Sequence, residues 1–340
     1  MKKTSINLDL YEGRGITISN RNQRLPECQW IAEKPETYHA SDGLRKAVNV
    51  AISLGQPLLV TGEPGTGKTQ LATSVAHELE LALFKFHTQT TSVAKDLFYV
   101  YDTLHHFQDA RMQTELIKEK YVTYNAFGLA ILLACSENNC QKFDPNEKEY
   151  IPKELKRPSS RSVVLIDEID KAPRDLPNDI LNDILTMSFS VKETGKTFQA
   201  DDAFRPIIIL TSNSEKNLPE PFLRRCVFYH IEFPDNKRLE TIIKNHMGQL
   251  SPFMENLLPN AIKEFQKIRD DMNLRKKPAT AECIAWLTLL DQLFEKDQSI
   301  DFNNLTPEQA DSLSLSYSVI AKCKEDYDRL ILELSEEPVS

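Results

Sequence analysis

Gly62-Glu63-Pro64-Gly65-Thr66-Gly67-Lys68-Thr69 spells a complete G-x-x-x-x-G-K-T loop. The apolar run Pro57-Leu58-Leu59-Val60 precedes it and a helix-type pattern follows, so it reads as the turn between a strand and a helix. Glycines at these positions let backbone N–H groups face inward around an anion. The first turn of the next helix adds its own unsatisfied N–H groups. Lys68 would give a mobile cation to the β- and γ-phosphates of a bound nucleoside triphosphate, and the Thr69 hydroxyl would ligate Mg²⁺. The expected nucleotide contacts are Gly62, Glu63, Pro64, Gly65, Thr66, Gly67, Lys68, Thr69, Gln70 and Asp167.

Asp167 enters through a second segment, Ser162-Val163-Val164-Leu165-Ile166-Asp167-Glu168, a short apolar run ending in two carboxylates. Such a run reads as a central strand of a parallel sheet, buried on both faces. Ligands of open α/β sheets lie off the carboxyl ends of the strands, which brings both carboxylates toward the phosphate loop. Asp167 is then placed to hold Mg²⁺ and Glu168 to orient and deprotonate an attacking water. Phosphoryl transfer asks mainly for such positioning and charge neutralisation.

The bulk properties set the frame. At 340 residues the chain has room for one large domain and a smaller one. A net charge of −9 speaks against a dominant electrostatic grip on nucleic acid. The longest apolar stretch, from Ala126 to Cys135, falls far short of the ~20 residues that span a bilayer, and the charged N-terminus shows no signal peptide. The six cysteines lack metal-binding spacing, so free thiols in a cytoplasmic protein are expected.

Along the chain, residues 1–36 read as an arm and Ser41–Leu54 as a helix capped by Ser41. Phe84–His87 reads as a strand. Residues 88–150 are long for a connection and read as a structured insertion containing a helical stretch and a polar patch over 136–149. Leu176–Met187 reads as a helix, residues 188–205 as a hairpin, and 207–211 and 227–233 as strands. From residue 236 on the pattern is wholly helical, with Asp235 and Thr306 as caps. The expected organisation is thus an arm (1–36), an α/β nucleotide-binding domain (37–235) carrying the insertion, and a helical lid with a tail (236–340).

Thr211-Ser212-Asn213 puts a polar side chain at the tip of a strand, where Asn213 would hold the attacking water. Leu218-Pro219-Glu220-Pro221-Phe222-Leu223-Arg224-Arg225 places two arginines before the last strand. This order of phosphate loop, acidic strand, polar sensor, arginines and helical lid resembles the AAA+ ATPases. Within them, residues 57–69, Asp96-Leu97-Phe98-Tyr99-Val100-Tyr101-Asp102 and Pro221-Phe222-Leu223-Arg224-Arg225 look like the MoxR-type branch. The resemblance covers about residues 38–295. It implies an AAA+ P-loop core, a parallel sheet flanked by helices, followed by a small all-helical lid. It also implies Mg²⁺-dependent ATP hydrolysis in a homo-oligomeric ring, usually of six, with catalytic roles for Glu168, Asn213 and an arginine finger, Arg224 or Arg225, reaching the neighbour's site.

The implied work is chaperone-like remodelling of a protein client, often beside a von Willebrand A-type domain, with neither nucleic acid nor membrane as partner. The rival readings are a nucleic-acid motor and a nucleotide-gated assembly or defence switch. The branch's usual sensor 2 arginine is replaced by Ala279; Lys276 or Lys277 would substitute, although a solvated basic run is the preferred reading. Phe98, Tyr99 and Tyr101 would touch a client if they lined a pore, but packing within the insertion is the stronger expectation. Lys153, Lys156, Arg157 and Arg161 read as a solvated linker, and His105-His106 as surface residues.

Overall fold

The computed structural model describes residues 35–112, 116–135, 149, 158–213, 218–294, 300–302 and 304–336. Residues 1–34 of the expected arm, nearly all of the 136–149 patch, and Lys153, Lys156 and Arg157 lie outside the described residues. The chain divides into two units, one spanning Tyr38–Glu232 and the other running from Phe233 onward and including Pro35–Thr37.

The larger unit is built on a five-stranded sheet in the order β2-β5-β8-β1-β9. Its strands are β1 (Leu58–Gly62), β2 (Ala82–His87), β5 (Ser162–Asp167), β8 (Ile207–Ser212) and β9 (Val227–Ile231). All four pairings are parallel. Every residue of the three central strands is buried. Their alternation sorts side chains onto opposite faces. Leu59, Val164, Ile166, Ile208 and Leu210 enter one core, while Leu58, Val60, Val163, Leu165, Ile207 and Ile209 enter another. A sheet buried on both faces therefore needs continuous apolar runs, and each fully buried aliphatic side chain contributes about 1.5–3 kcal/mol. The edge strands β2 and β9 consist of half-buried and exposed positions, except for the buried Ile231 at the end of β9.

Helices cover both faces. Asp42–Leu54 begins where the Ser41 hydroxyl accepts the Leu44 N–H, and ends at Gly55 in a left-handed conformation (φ 63°). The expected insertion contains a short antiparallel pair, β3 (Tyr99–Tyr101) and β4 (Val122–Tyr124), with the helix Thr103–Arg111 between them. The apolar helix Ala126–Leu133 follows, and Gly128 lies so close to the Phe98 carbonyl that a Cβ would meet it at 2.0 Å.

The expected hairpin is β6 (Ser188–Val191) with β7 (Lys196–Gln199). Its turn is held against the insertion. Lys95 pairs with Glu193 at 2.8 Å, the Tyr99 hydroxyl donates to Glu193 at 2.8 Å, and Lys196 pairs with the buried Glu119. Phe98 and Tyr99 are 3% and 2% exposed, and both rings lie against Phe189. Contact with a client is thereby excluded for these two rings, because the space around them is filled by the hairpin. Tyr101 is half-buried, with its hydroxyl 3.1 Å from His106 Nδ1.

In the second unit the helices Asn236–Met247, Pro252–Asp271, Thr280–Leu293, Pro307–Ile320 and Lys324–Glu336 share a core around Phe265, Trp286, Leu287 and Leu290. Asp235, Ser251 and Thr306 each accept an N–H from the first turn of their helices. The fully buried Asp326 accepts the backbone N–H groups of Arg275 and Lys276 at 2.8 and 3.1 Å, tying the last helix to the 275–276 turn. Lys276 and Lys277 are exposed, as a solvated run should be. No described helix is long and apolar enough to cross a membrane. Cys135, Cys226, Cys283 and Cys323 are free thiols, and burial pushes that of Cys226 up to about 12.

Candidate active site

Parallel strands end on the same edge of the sheet, so β1, β5 and β8 deliver Gly62, Asp167 and Ser212 to one place. The G-x-x-x-x-G-K-T residues lie between β1 and the helix Lys68–Glu78. Gly62 sits at φ 150°, and a Cβ there would stand 2.6 Å from the Ile231 carbonyl oxygen. Gly65 and Gly67 sit at φ 75° and 86°. All three conformations favour glycine. The Thr66 hydroxyl closes the turn by donating to the Glu63 carbonyl at 2.8 Å. Glu63, Pro64 and Gly65 are exposed, while Thr66, Gly67, Thr69 and Gln70 are half-buried.

Lys68 is 6% exposed, and its ammonium donates to the carbonyls of Gly62 and Glu63, both at 2.8 Å. Burial lowers its pKa below the usual lysine value, against opposing pulls from Asp170, Asp167, Glu168 and Glu63. A cation kept partly desolvated beside a glycine cradle suits a polyphosphate, whose binding relieves that cost.

One carboxylate oxygen gathers the rest. Asp167 Oδ1 accepts from the Thr69 hydroxyl at 2.9 Å and from the Thr211 hydroxyl at 2.6 Å. Thr211 Oγ1 also accepts the Glu168 N–H at 2.9 Å. His87 Nδ1 lies 3.3 Å from Asp167 Oδ2. A carboxylate beside a threonine hydroxyl offers hard oxygen donors of the kind Mg²⁺ takes together with phosphate oxygens and water. Thr69 and Asp167 thus fit the cation that the sequence implies.

Glu168 follows in a left-handed conformation (φ 55°, ψ 50°) that turns the chain off the strand into the 3-10 turn Ile169–Lys171. Its Oε1 receives Asn213 Nδ2 at 3.4 Å, and its Oε2 receives the Lys171 ammonium. That bond to Glu168 raises the Lys171 pKa, with burial opposing. Asp170 Oδ1 accepts the Asn213 N–H at 3.3 Å. The expected base and sensor are therefore brought together beside Asp167.

The two arginines stand apart from this cluster in the hydrogen bonding. Arg224 pairs with Glu220 one helical turn earlier, whereas the exposed Arg225 guanidinium has no partner among the described residues. His105 is exposed, and no group of three metal-binding side chains occurs among the described residues.

Three contributors escaped the sequence reading: Thr211, His87 and Lys171. Register is the missing information for the first two. His87 is aligned with Asp167, and the pairing of Ile166 with Leu210 makes Asp167 and Thr211 next neighbours across the sheet. Two hydroxyl residues, Thr211 and Ser212, closing the aliphatic run Ile207–Leu210 of a buried strand are the signal that could have marked Thr211.

The profile of the ATPase family associated with various cellular activities (AAA) matches residues 58–235, from β1 to just past β9. The chain belongs to the AAA family. Membership accords with a nucleotide-binding, ATPase-type core and with the sheet described above. Among solved structures the AAA chain is similar to two mutants of RuvB from Thermotoga maritima. They are 14% and 15% identical, each with a TM-score of 0.46, covering 84% of this chain and 72% of theirs. A third similar structure, titled the Thermotoga maritima RuvB Holliday junction branch migration motor, is 14% identical with a TM-score of 0.42, over 82% of this chain and 69% of its own. No curated protein matches the AAA chain in sequence.

Proposed function

We propose that this AAA protein hydrolyses ATP with Mg²⁺ in a ring of six copies, and that it is a motor of MoxR type that remodels or activates a partner protein. The observation that carries the catalytic part is the convergence of Thr69 and Thr211 on Asp167 Oδ1, with Glu168 and Asn213 beside it. Thr69 and Asp167 would hold Mg²⁺, which supplies charge neutralisation across the β- and γ-phosphates. Lys68 turns from its two loop carbonyls to the phosphate oxygens. Asn213 holds the attacking water and Glu168 takes its proton. Arg224 or Arg225 of an adjoining copy meets the charge that develops on the γ-phosphate, a task for which a planar guanidinium is suited.

The branch assignment is supported by the motif phrases and by an inserted β3–helix–β4 element with a hairpin clamped to it. A protein client, such as one with a von Willebrand A-type domain, follows from that assignment, and the net charge of −9 weighs against a nucleic-acid track. Buried free thiols suit a cytoplasmic setting.

The test is Glu168→Gln. The variant is expected to bind ATP as the parent does and to hydrolyse it at least ~10²-fold more slowly, since the water loses its base. A near-normal turnover in a coupled phosphate-release assay would remove Glu168 from the mechanism.

A further inference from the structure

We propose that Lys171 is a positioning residue that restrains Glu168 before turnover, so that it sets the basal rate of the site. This rests on the assignment of Glu168 as the base. The geometry is local and complete. The Glu168 backbone is fixed at one end by its N–H bond to Thr211, and the 3-10 turn is closed by the Lys171 N–H donating to the Glu168 carbonyl at 2.9 Å. That turn brings the Lys171 ammonium back onto Oε2, while Asn213 Nδ2 occupies Oε1. Each carboxylate oxygen thus already receives an N–H donor, which leaves it one free lone pair and fixes the direction in which that lone pair points.

The same turn also grips the sensor. Asp170 holds the Asn213 backbone N–H, while Glu168 receives its side-chain amide, so base and sensor form one restrained unit. The Lys171 and Glu168 side chains are 52% and 38% exposed, which makes the pair weak and easily opened. A weak restraint suits a reversible hold: it slows an idle site and yields when a bound phosphate competes for the ammonium or an adjoining copy competes for the carboxylate.

The experiment is steady-state hydrolysis of Mg²⁺-ATP by the full chain. Lys171→Met is expected to raise kcat roughly two- to five-fold, the range an exposed ion pair supplies. KM should move by less than about two-fold, because the restraint acts on the chemical step rather than on nucleotide binding. Lys171→Arg, which keeps a cation within reach, should bring the slow rate back. In a Glu168→Gln background, Lys171→Met should produce no acceleration.

An unchanged or lower kcat in Lys171→Met overturns the restraint, as does equal acceleration in the Glu168→Gln background. If Glu168→Gln alone leaves turnover intact, the assignment of the base fails and the restraint falls with it. If Glu168→Gln stops turnover while Lys171→Met changes nothing, only the restraint is lost.

Discussion

One hydroxyl, Thr211 Oγ1, joins the Asp167 carboxylate, the proposed Mg²⁺ ligand, to the backbone of Glu168, the proposed base: it donates to Asp167 and accepts from the Glu168 N–H. Valine has nearly the same shape and neither bond. Thr211→Val should therefore leave the half-buried Glu168 N–H without its acceptor and cost about 0.5–1.5 kcal/mol in urea unfolding. It should also weaken the Mg²⁺ dependence of ATP binding, read by titrating Mg²⁺ at fixed nucleotide, because Asp167 Oδ1 loses one of its two hydroxyl donors. Wild-type values for both quantities would show that Thr211 only fills space. Lys68 stands at the same scale. Its ammonium is held by carbonyls of its own loop, so Lys68→Ala should fold and yet fail to bind ATP in an equilibrium assay; retained tight binding would refute the cradle assignment.

At the scale of elements, the last helix is fastened by a charge. Burial alone would push the Asp326 carboxyl up, but the N–H groups of Arg275 and Lys276, with the Cys323 thiol and Arg329, outweigh it and hold it below the usual carboxylate range. A depressed folded pKa gives stability that is present above the unfolded value of about 3.9 and is lost as pH falls through the folded value. Asp326→Ala should accordingly be less stable than the parent by about 1–3 kcal/mol at pH 7. That gap should narrow on acidification below about pH 4. A gap independent of pH in unfolding curves would show that packing, not charge, is what the variant lost. Elements were also where the sequence reading was strongest. Ser41, Asp235 and Thr306 cap the helices they were expected to cap, since an N-cap is a bond between residues three apart in the chain. The insertion was legible as structured, but not the fate of Phe98 and Tyr99, which depends on a hairpin about ninety residues away closing over them.

At the scale of the whole molecule, the proposed finger from an adjoining copy would be worth ~10³–10⁵ in turnover, so on that reading an isolated subunit should be a poor ATPase. Mixing subunits carrying Arg224→Ala and Arg225→Ala with Lys68→Ala subunits should restore part of the lost activity, because one copy keeps the cradle and the other the finger. Assembled mixtures with no recovery would count against a shared site. Among the described residues Arg225 has no side-chain partner and Arg224 has an exposed pair with Glu220, so each single variant should be compared as well. What the amino-acid order determined unaided was everything set by near neighbours: the loop conformations that favour glycine, the doubly buried strands, the caps and the two carboxylates at a strand end. These follow from backbone sterics and side-chain period within a short window. Tertiary structure alone decided which residues from distant strands stand beside Asp167, and which aromatic rings became core. Strand register and packing join positions far apart in the chain, and no local window contains that pairing.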